Sequence, residues 1–384
     1  NPPLSQVCEG EDIEVTWYGA PGTNFSWFPP TYLSSASSIA GQPITINPQD
    51  TITYTITAQN SSGCIDQATY FIDILPAPNI NTISPVTAIC YDGSVPITAS
   101  GGANSYIWSP SSSLNVGIGN VVTASPITST QYKVIGTALN GCKDSSDITI
   151  SVNPLPVLSV TGTNNICEGE STPLLVSGAN LYIWTPSTSL NTAVGNTVLA
   201  TPSISQTYTI VGADLNQCEG TTSYSVLVLP TPNISITPPA DTICIGGLSS
   251  FTATGGAIYS WTPSSSLNTN TGNVVSAIPS TTTTYSVLGT NANNCSSTSL
   301  ITVNVNPLPI LNVTPNISTI CEGKSVGITA SGAQDFIWSP ALGLNTTQDS
   351  SVIANPITTT VYSILGTDAN DCSDMISATV NVNP

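Results

Sequence analysis

Ten cysteines are the residues of this chain whose type and spacing could do chemistry. They fall as Cys8/Cys64, Cys90/Cys142, Cys167/Cys218, Cys244/Cys295 and Cys321/Cys372, and each of the last three pairs is 51 residues apart. A structural metal site needs about four nitrogen or sulfur ligands. The chain has no histidine, and no cysteine has a second one nearby. A thiol nucleophile would also need a base beside it. The even count with no odd thiol therefore predicts disulfides, one inside each of five blocks. Closing a loop of about 50 residues removes roughly 4 kcal/mol of unfolded-state entropy, comparable with the net stability of so small a domain.

Carboxylates are the other reactive groups. Glu9, Glu11, Asp12 and Glu14 cluster in CEGEDIE, and Asp368, Asp371 and Asp374 lie near Cys372. Paired carboxylates can serve as acid and base, but these fall in loops and read as solvated acidic edges. Calcium clamps at every junction would need several oxygen ligands each. Residues 230–306 offer only Asp241, so regular calcium sites are rejected, while an incidental ion near the acidic first block stays open. Lysine–asparagine crosslinks also fail, because lysine occurs only at 133, 143 and 324. No catalytic residue, metal or cofactor is assigned, and the chain is not read as an enzyme.

The elements that position these residues repeat. YIWSPSSSLNVGIGN at 106–120 returns as YIWTPSTSLNTAVGN at 182–196, YSWTPSSSLNTNTGN at 259–273 and FIWSPALGLNTTQDS at 336–350. FSWFPPTYLSS at 25–35 is a looser version. Trp27, Trp108, Trp184, Trp261 and Trp338 are 81, 76, 77 and 77 residues apart. A fixed period of this size means an array of equivalent units: 1–75 (divergent), 76–153, 154–229, 230–306 and 307–384. In the second unit VPITAS, YIW, NVVTAS, QYKVIGTA and DITISVN read as short strands, with turns every 8–12 residues and no helical periodicity. This predicts an all-β chain of antiparallel sandwiches. The five tryptophans and Tyr54, Tyr132, Tyr208, Tyr285 and Tyr362 are assigned to the cores. The proline after each tryptophan is assigned to stopping its strand.

The order Cys…Trp…Tyr…Cys resembles an immunoglobulin-type sandwich. More closely, CEGES…YIWTPSTSLN…TPSISQTYTIVGADLNQC at 167–218 resembles the Ig-like/PKD-like tandem repeats of giant secreted surface proteins of gliding and related Bacteroidota, and does so across all five units. The resemblance implies export by the type IX route and display at the cell surface. It also implies corner hydrogen bonds from the tyrosines. Val134, Ile210, Val287 and Ile364 occupy the place of the mid-strand cysteine of antibody domains. The in-unit bridge is therefore expected at one end of each sandwich, between the approach to the second strand and the hairpin after the tyrosine strand.

The charge is −18, from 21 acidic residues against three lysines and no arginine. Nucleic acid and anionic membranes both require clustered cations, so neither is a partner. No run of 18 apolar residues exists to span a bilayer. The chain opens on NPPLSQVCEG without a signal peptide and closes on TVNVNP like its internal units, which reads as a cut from a longer secreted polypeptide. The partners expected are further repeats of that longer chain. Self-association into fibres and contacts with surface glycans stay open. Thr51 and Thr242, each in DTI, match a short O-glycosylation signal. Trp17 alternates with Ile13 and Val15 and is placed inward, whereas Tyr18 and Phe28 remain for a surface binding patch.

Junctions NPLP, LPTP and LPAP are short and proline-rich, hence extended and semi-rigid. Five such units end to end make an extended rod of roughly 150–200 Å. The function expected is a disulfide-stapled stalk, adhesin shaft or extracellular filament segment. The alternative is an array of carbohydrate-binding modules on a secreted polysaccharide degrader.

Overall fold

The computed structural model describes residues 5–384. Those residues form thirty-five strands, seven for each of five repeats. In the second unit the strands are Asn81–Ile83, Ala88–Cys90, Val95–Ser100, Ser105–Ser109, Val121–Ala124, Thr130–Thr137 and Lys143–Asn153. The first, third and fifth make one sheet, and the fourth, sixth, seventh and second make the other. All neighbours run antiparallel except the second strand, which lies parallel to the seventh through Asn153↔Cys90. Units three to five repeat this order. Two antiparallel sheets with this strand order are an Ig-like β-sandwich.

Alternation explains why the strands pack as two layers. Val95–Ser100 buries every second side chain, and Val121–Ala124 does likewise. Ile97, Trp108, Val122, Tyr132, Val134 and Ile150 meet between the sheets with essentially no exposure. Each of the other units has its own separate cluster around Trp184, Trp261, Trp338 or Trp27, together with Tyr208, Tyr285, Tyr362 or Tyr54. The core is thus closed unit by unit.

The recurring tryptophan phrase folds on itself. Its strand stops at Ser109, directly before Pro110. The Trp108 indole N–H donates to the carbonyl of Gly119 at 2.9 Å, and its backbone N–H donates to Gly117 at 2.9 Å. Asn115 extends the layer: its side-chain oxygen accepts from Thr123 N–H at 2.7 Å, and its own N–H donates to the Thr123 carbonyl at 3.0 Å. Trp184, Trp261 and Trp338 donate to Gly195, Gly272 and Asp349 in the same way.

The tyrosine hydroxyls do not make the corner bond that the resemblance implies. Tyr132 and Tyr208 bond Ser113 and Ser189 at 2.6 Å, Tyr285 bonds Ser266, and Tyr54 and Tyr362 donate to the carbonyls of Thr31 and Leu342. Every partner lies in the loop after the tryptophan strand. The phrase is therefore clamped by the indole at one point and by the tyrosine at another.

Glycine is required where the third strand turns into the fourth. Gly101 has φ 124°, and a Cβ there would stand 1.8 Å from the Asn79 carbonyl oxygen. Its place in the third unit is taken by Gly178, φ 109°, with the same conflict at 2.0 Å from Val157. This close approach brings the incoming linker down onto the top of its own sandwich.

The first unit departs from the pattern. Its described strands form a five-stranded sheet and the pair Ile13–Thr16 with Pro43–Ile46. A short strand, Ser37–Ile39, pairs with Asn24–Phe28 within the segment that follows the tryptophan strand. In this unit the Trp27 indole N–H is buried without a partner among the described residues.

Candidate functional site: the joints between units

The two cysteines of a unit lie at opposite ends of it. Cys90 is opposite Asn153, the last residue of the seventh strand, whereas Cys142 immediately precedes Lys143, the first. That strand has 11 residues, which at about 3.3 Å per residue places the two cysteines roughly 35 Å apart. Cys8, Cys167, Cys244 and Cys321 are opposite Leu75, Leu229, Asn306 and Asn383 in the same register. A disulfide needs Cα atoms within about 7 Å. None of the five in-unit bridges expected from the spacing exists.

The bridges run between consecutive units instead. Cys8 bonds Cys142, Cys90 bonds Cys218, Cys167 bonds Cys295 and Cys244 bonds Cys372, with Cα–Cα distances of 5.4, 5.5, 5.5 and 5.5 Å. The lower cysteine of one unit meets the hairpin cysteine of the next. Cys64 and Cys321, assigned to bridges from the sequence, are unbonded and exposed. The reason is strand parity. The first cysteine sits where the seventh strand ends, and the chain then leaves for the next unit, whose sixth-to-seventh hairpin points back at it.

Each half of a joint is built by local rules. On the lower side the cysteine opens a tight turn: Gly93 N–H donates to the Cys90 carbonyl at 2.8 Å, with Asp92 at φ 63° between them. A positive φ at the third residue marks a type II turn, which favours glycine or a short polar residue. Gly10, Gly169, Gly246 and Gly323 hold that place elsewhere.

On the hairpin side, Asp214 accepts at one carboxylate oxygen from Asn216 N–H at 2.8 Å and Cys218 N–H at 2.9 Å. Asn291 and Asp368 do the same for Cys295 and Cys372. Asn and Asp suit this task because their short side chains bond backbone two to four residues onward. The residue before each hairpin cysteine (Gly63, Gly141, Gln217, Asn294 or Asp371) is left-handed, with φ between 59° and 88°.

The linkers are gripped as well. Asn140 and Asn291 donate from their side chains to the carbonyls of Pro76 and Pro230, both at 2.9 Å. Sulfur of Cys142 lies 3.7 Å from the Leu75 carbonyl oxygen. In a disulfide it has no proton to give, so this is a packing contact. All four bonded hairpin cysteines are 0% exposed. A joint thus pairs a fully buried hairpin cysteine with a half-buried lower one beside a proline linker, and at two joints an asparagine side chain clamps that linker.

The other residues singled out from sequence lie elsewhere. Trp17 is packed edge-on against Trp27 and Tyr70, with ring centroids 6.0 and 6.1 Å away. Tyr18 and Phe28 are 83% and 72% exposed. Tyr18 lines a shallow cavity with Trp17, Thr23, Phe25 and Gln67, and Phe28 is outside that lining. The Thr51 hydroxyl accepts from Ile74 N–H at 3.1 Å. Ser129, Ser205, Thr282 and Thr359 make the same bond to the seventh strand in their units. Thr51 is therefore part of the scaffold. Thr242 is exposed on the strand Asp241–Cys244. Among the described residues no three of His, Cys, Asp and Glu come together as a metal ion would need.

No family model matches the chain, and no curated protein matches it. Among solved structures it is similar to the N-terminal eight Ig domains of Down Syndrome Cell Adhesion Molecule, at 14% identity and a TM-score of 0.32, over 100% of this chain and 60% of that one. Sidekick-1 immunoglobulin domains 1-5 are similar at 12% identity and a TM-score of 0.23, over 100% and 97%. The human Desmocollin-1 ectodomain is similar at 12% and 0.20, over 100% and 98%. The chain thus spans about three fifths of the first of these fragments. The Ig-like fold itself rests on the strand order of each unit.

Proposed function

We propose that this chain is a stiff spacer of a secreted, surface-displayed adhesive protein, in which a disulfide laces each unit to the next. The observation that carries the reading is the set of four inter-unit bridges. A bridge inside a unit would stabilise that unit alone. A bridge across a junction adds a second covalent connection beside the linker, so neighbouring units cannot swing about a single strand of chain. Disulfides persist in oxidising compartments, which supports an extracellular location. The resemblance of the repeats to type IX-exported Bacteroidota surface proteins supports the same placement.

Small-angle scattering of the oxidised chain tests this. An extended particle of roughly 150–200 Å is expected from five units of ten-residue strands at about 3.3 Å per residue. Reduction should broaden the distance distribution without unfolding the units. A compact profile for the oxidised chain would overturn the reading. Glycan binding by Tyr18 and Phe28 is not adopted, because only Tyr18 lines the cavity beside it.

A further inference from the structure

The four bridges do more than double each joint. Joined by short pieces of backbone, they make two continuous covalent routes along the chain. One runs from Cys8 across its bridge to Cys142, down the backbone to Cys167, across to Cys295 and on along the backbone into the fifth unit. The other arrives by backbone at Cys90, crosses to Cys218, runs down to Cys244 and crosses to Cys372. The routes alternate. Between the second and third units the first route passes as peptide, residues 154–158, and the second as the Cys90–Cys218 bridge. Between the third and fourth units the second route is the peptide and the first is the Cys167–Cys295 bridge.

The backbone pieces are already drawn out. Cys142 and Cys167 are 25 residues apart, and the segment between them never doubles back. Lys143–Asn153 leads down the second unit. The linker then enters the top of the third, where a Cβ on Gly220 would stand 2.1 Å from the Pro156 carbonyl oxygen. Ser159–Gly162 continues downward, antiparallel to the rising strand Thr172–Ser177. Asn165–Cys167 continues parallel to the seventh strand and ends opposite Leu229. Residues 218–244 and 295–321 repeat this order of strands. A chain already extended at about 3.3 Å per residue gains at most about a tenth of its length before it is straight.

Most of each core lies outside both routes. The third to sixth strands, with the tryptophan phrase and the buried tyrosine, fall between Cys90 and Cys142, between Cys167 and Cys218, or between Cys244 and Cys295. We propose that the oxidised chain is a tension-bearing tether, in which load passes along the two covalent routes and the cores sit beside them without being pulled open. In an ordinary tandem array tension acts across every fold, and units open at rates set by their unfolding kinetics. Here a force that reaches Cys142 from Cys8 leaves through Cys167 to Cys295, without pulling on the strands that carry Trp108 or Trp184. Those strands and their loops are free to bind or to open without lengthening the tether.

The inference rests on the laced joints of the spacer reading, but it concerns extensibility, whereas scattering reads shape. Single-molecule pulling measures it. The exposed Glu9 and Glu322, beside Cys8 and Cys321, are each replaced by p-azidophenylalanine as handles. The full chain also carries Cys64→Ser and Cys321→Ser, so that no free thiol exchanges with the bridges. Along the backbone the handles are 313 residues apart. Oxidised, the tether should show no unfolding steps and lengthen by less than about 30 Å. Reduced, it should open stepwise toward about 1,100 Å, at some 3.6 Å per residue. Gly178→Ala, outside both routes, should lower the force of one step in the reduced chain and leave the oxidised chain free of steps. Unfolding steps in the oxidised chain, with the four bridges confirmed by peptide mapping, overturn the proposal and leave the scattering result standing. A step-free oxidised chain with a compact scattering profile upholds the tether and overturns the extended shape alone.

Discussion

Cys90 stands beside Asn153, at the far end of the strand that follows Cys142, and bonds Cys218 of the next unit with Cα atoms 5.5 Å apart. Peptide mapping under non-reducing conditions should therefore recover Cys8–Cys142, Cys90–Cys218, Cys167–Cys295 and Cys244–Cys372. With only three lysines and no arginine, pepsin is the practical protease. A Cys90–Cys142 peptide in native material would refute the joint.

The sandwich was legible in the sequence because its signals are local. Alternation in VPITAS, the tryptophan before proline and the tyrosine two places before an aliphatic each act within one or two strands. The pairing of sulfurs was not legible from spacing. A separation of 51 within a unit becomes 128 between units when one period of 77 is added, and both are equally regular. What decides is which end of the sandwich a cysteine occupies. The clue was present: DITISVN and its extension Lys143–Asn153 lie between the two ends, and a strand that long cannot be bridged across its length. The tyrosine bond was missed for a related reason, since Ser113 approaches Tyr132 only after the long loop closes over the indole.

Because each core closes by itself, the bridges should be dispensable for local folding. The double variant Cys167→Ser/Cys295→Ser is expected to keep the native tryptophan emission of units three and four. Its stability should fall by at most about 5 kcal/mol, the loop-closure limit for some 130 residues when both units unfold together. Urea titration followed by fluorescence measures this. Loss of the native signal in buffer would show that the joint is needed for the cores.

The indole bonds make a contrast between units. Trp184 donates to Gly195 at 2.9 Å, whereas the buried Trp27 indole N–H has no partner. Trp184→Phe removes the hydrogen bond to the carbonyl of Gly195, an exposed residue, and Trp27→Phe removes none. The former should lower local opening energy by about 1 kcal/mol more than the latter. Hydrogen exchange of peptides from the two units reads the difference directly.

Backbone closeness at Gly178 admits no Cβ, which would lie 2.0 Å from the Val157 carbonyl. Gly178→Ala should destabilise the third unit by about 2–3 kcal/mol, through strain at positive φ and displacement of the linker. Exchange protection should drop in the third unit and stay unchanged in the fifth. Uniform loss across the chain would mean that units do not open separately.

Alkaline pH should find the first unit through its tyrosines. Burial, and then the charge of Tyr32, push the Tyr54 hydroxyl up to about 12, while it donates to the Thr31 carbonyl at 2.7 Å. Tyr32 is itself raised by burial and by its bond to Asp50. An unfolded tyrosine titrates near 10, so the folded unit holds the proton more tightly than the unfolded chain. This contribution is fully present below about pH 10 and is lost as pH rises through about 12. Urea midpoints between pH 9 and 12 should decline more steeply for the chain with Tyr54 than for Tyr54→Phe. Both should carry Cys64→Ser and Cys321→Ser, so that no free thiolate reshuffles the joints. Equal slopes would show that Tyr54 ionises without opposing the fold.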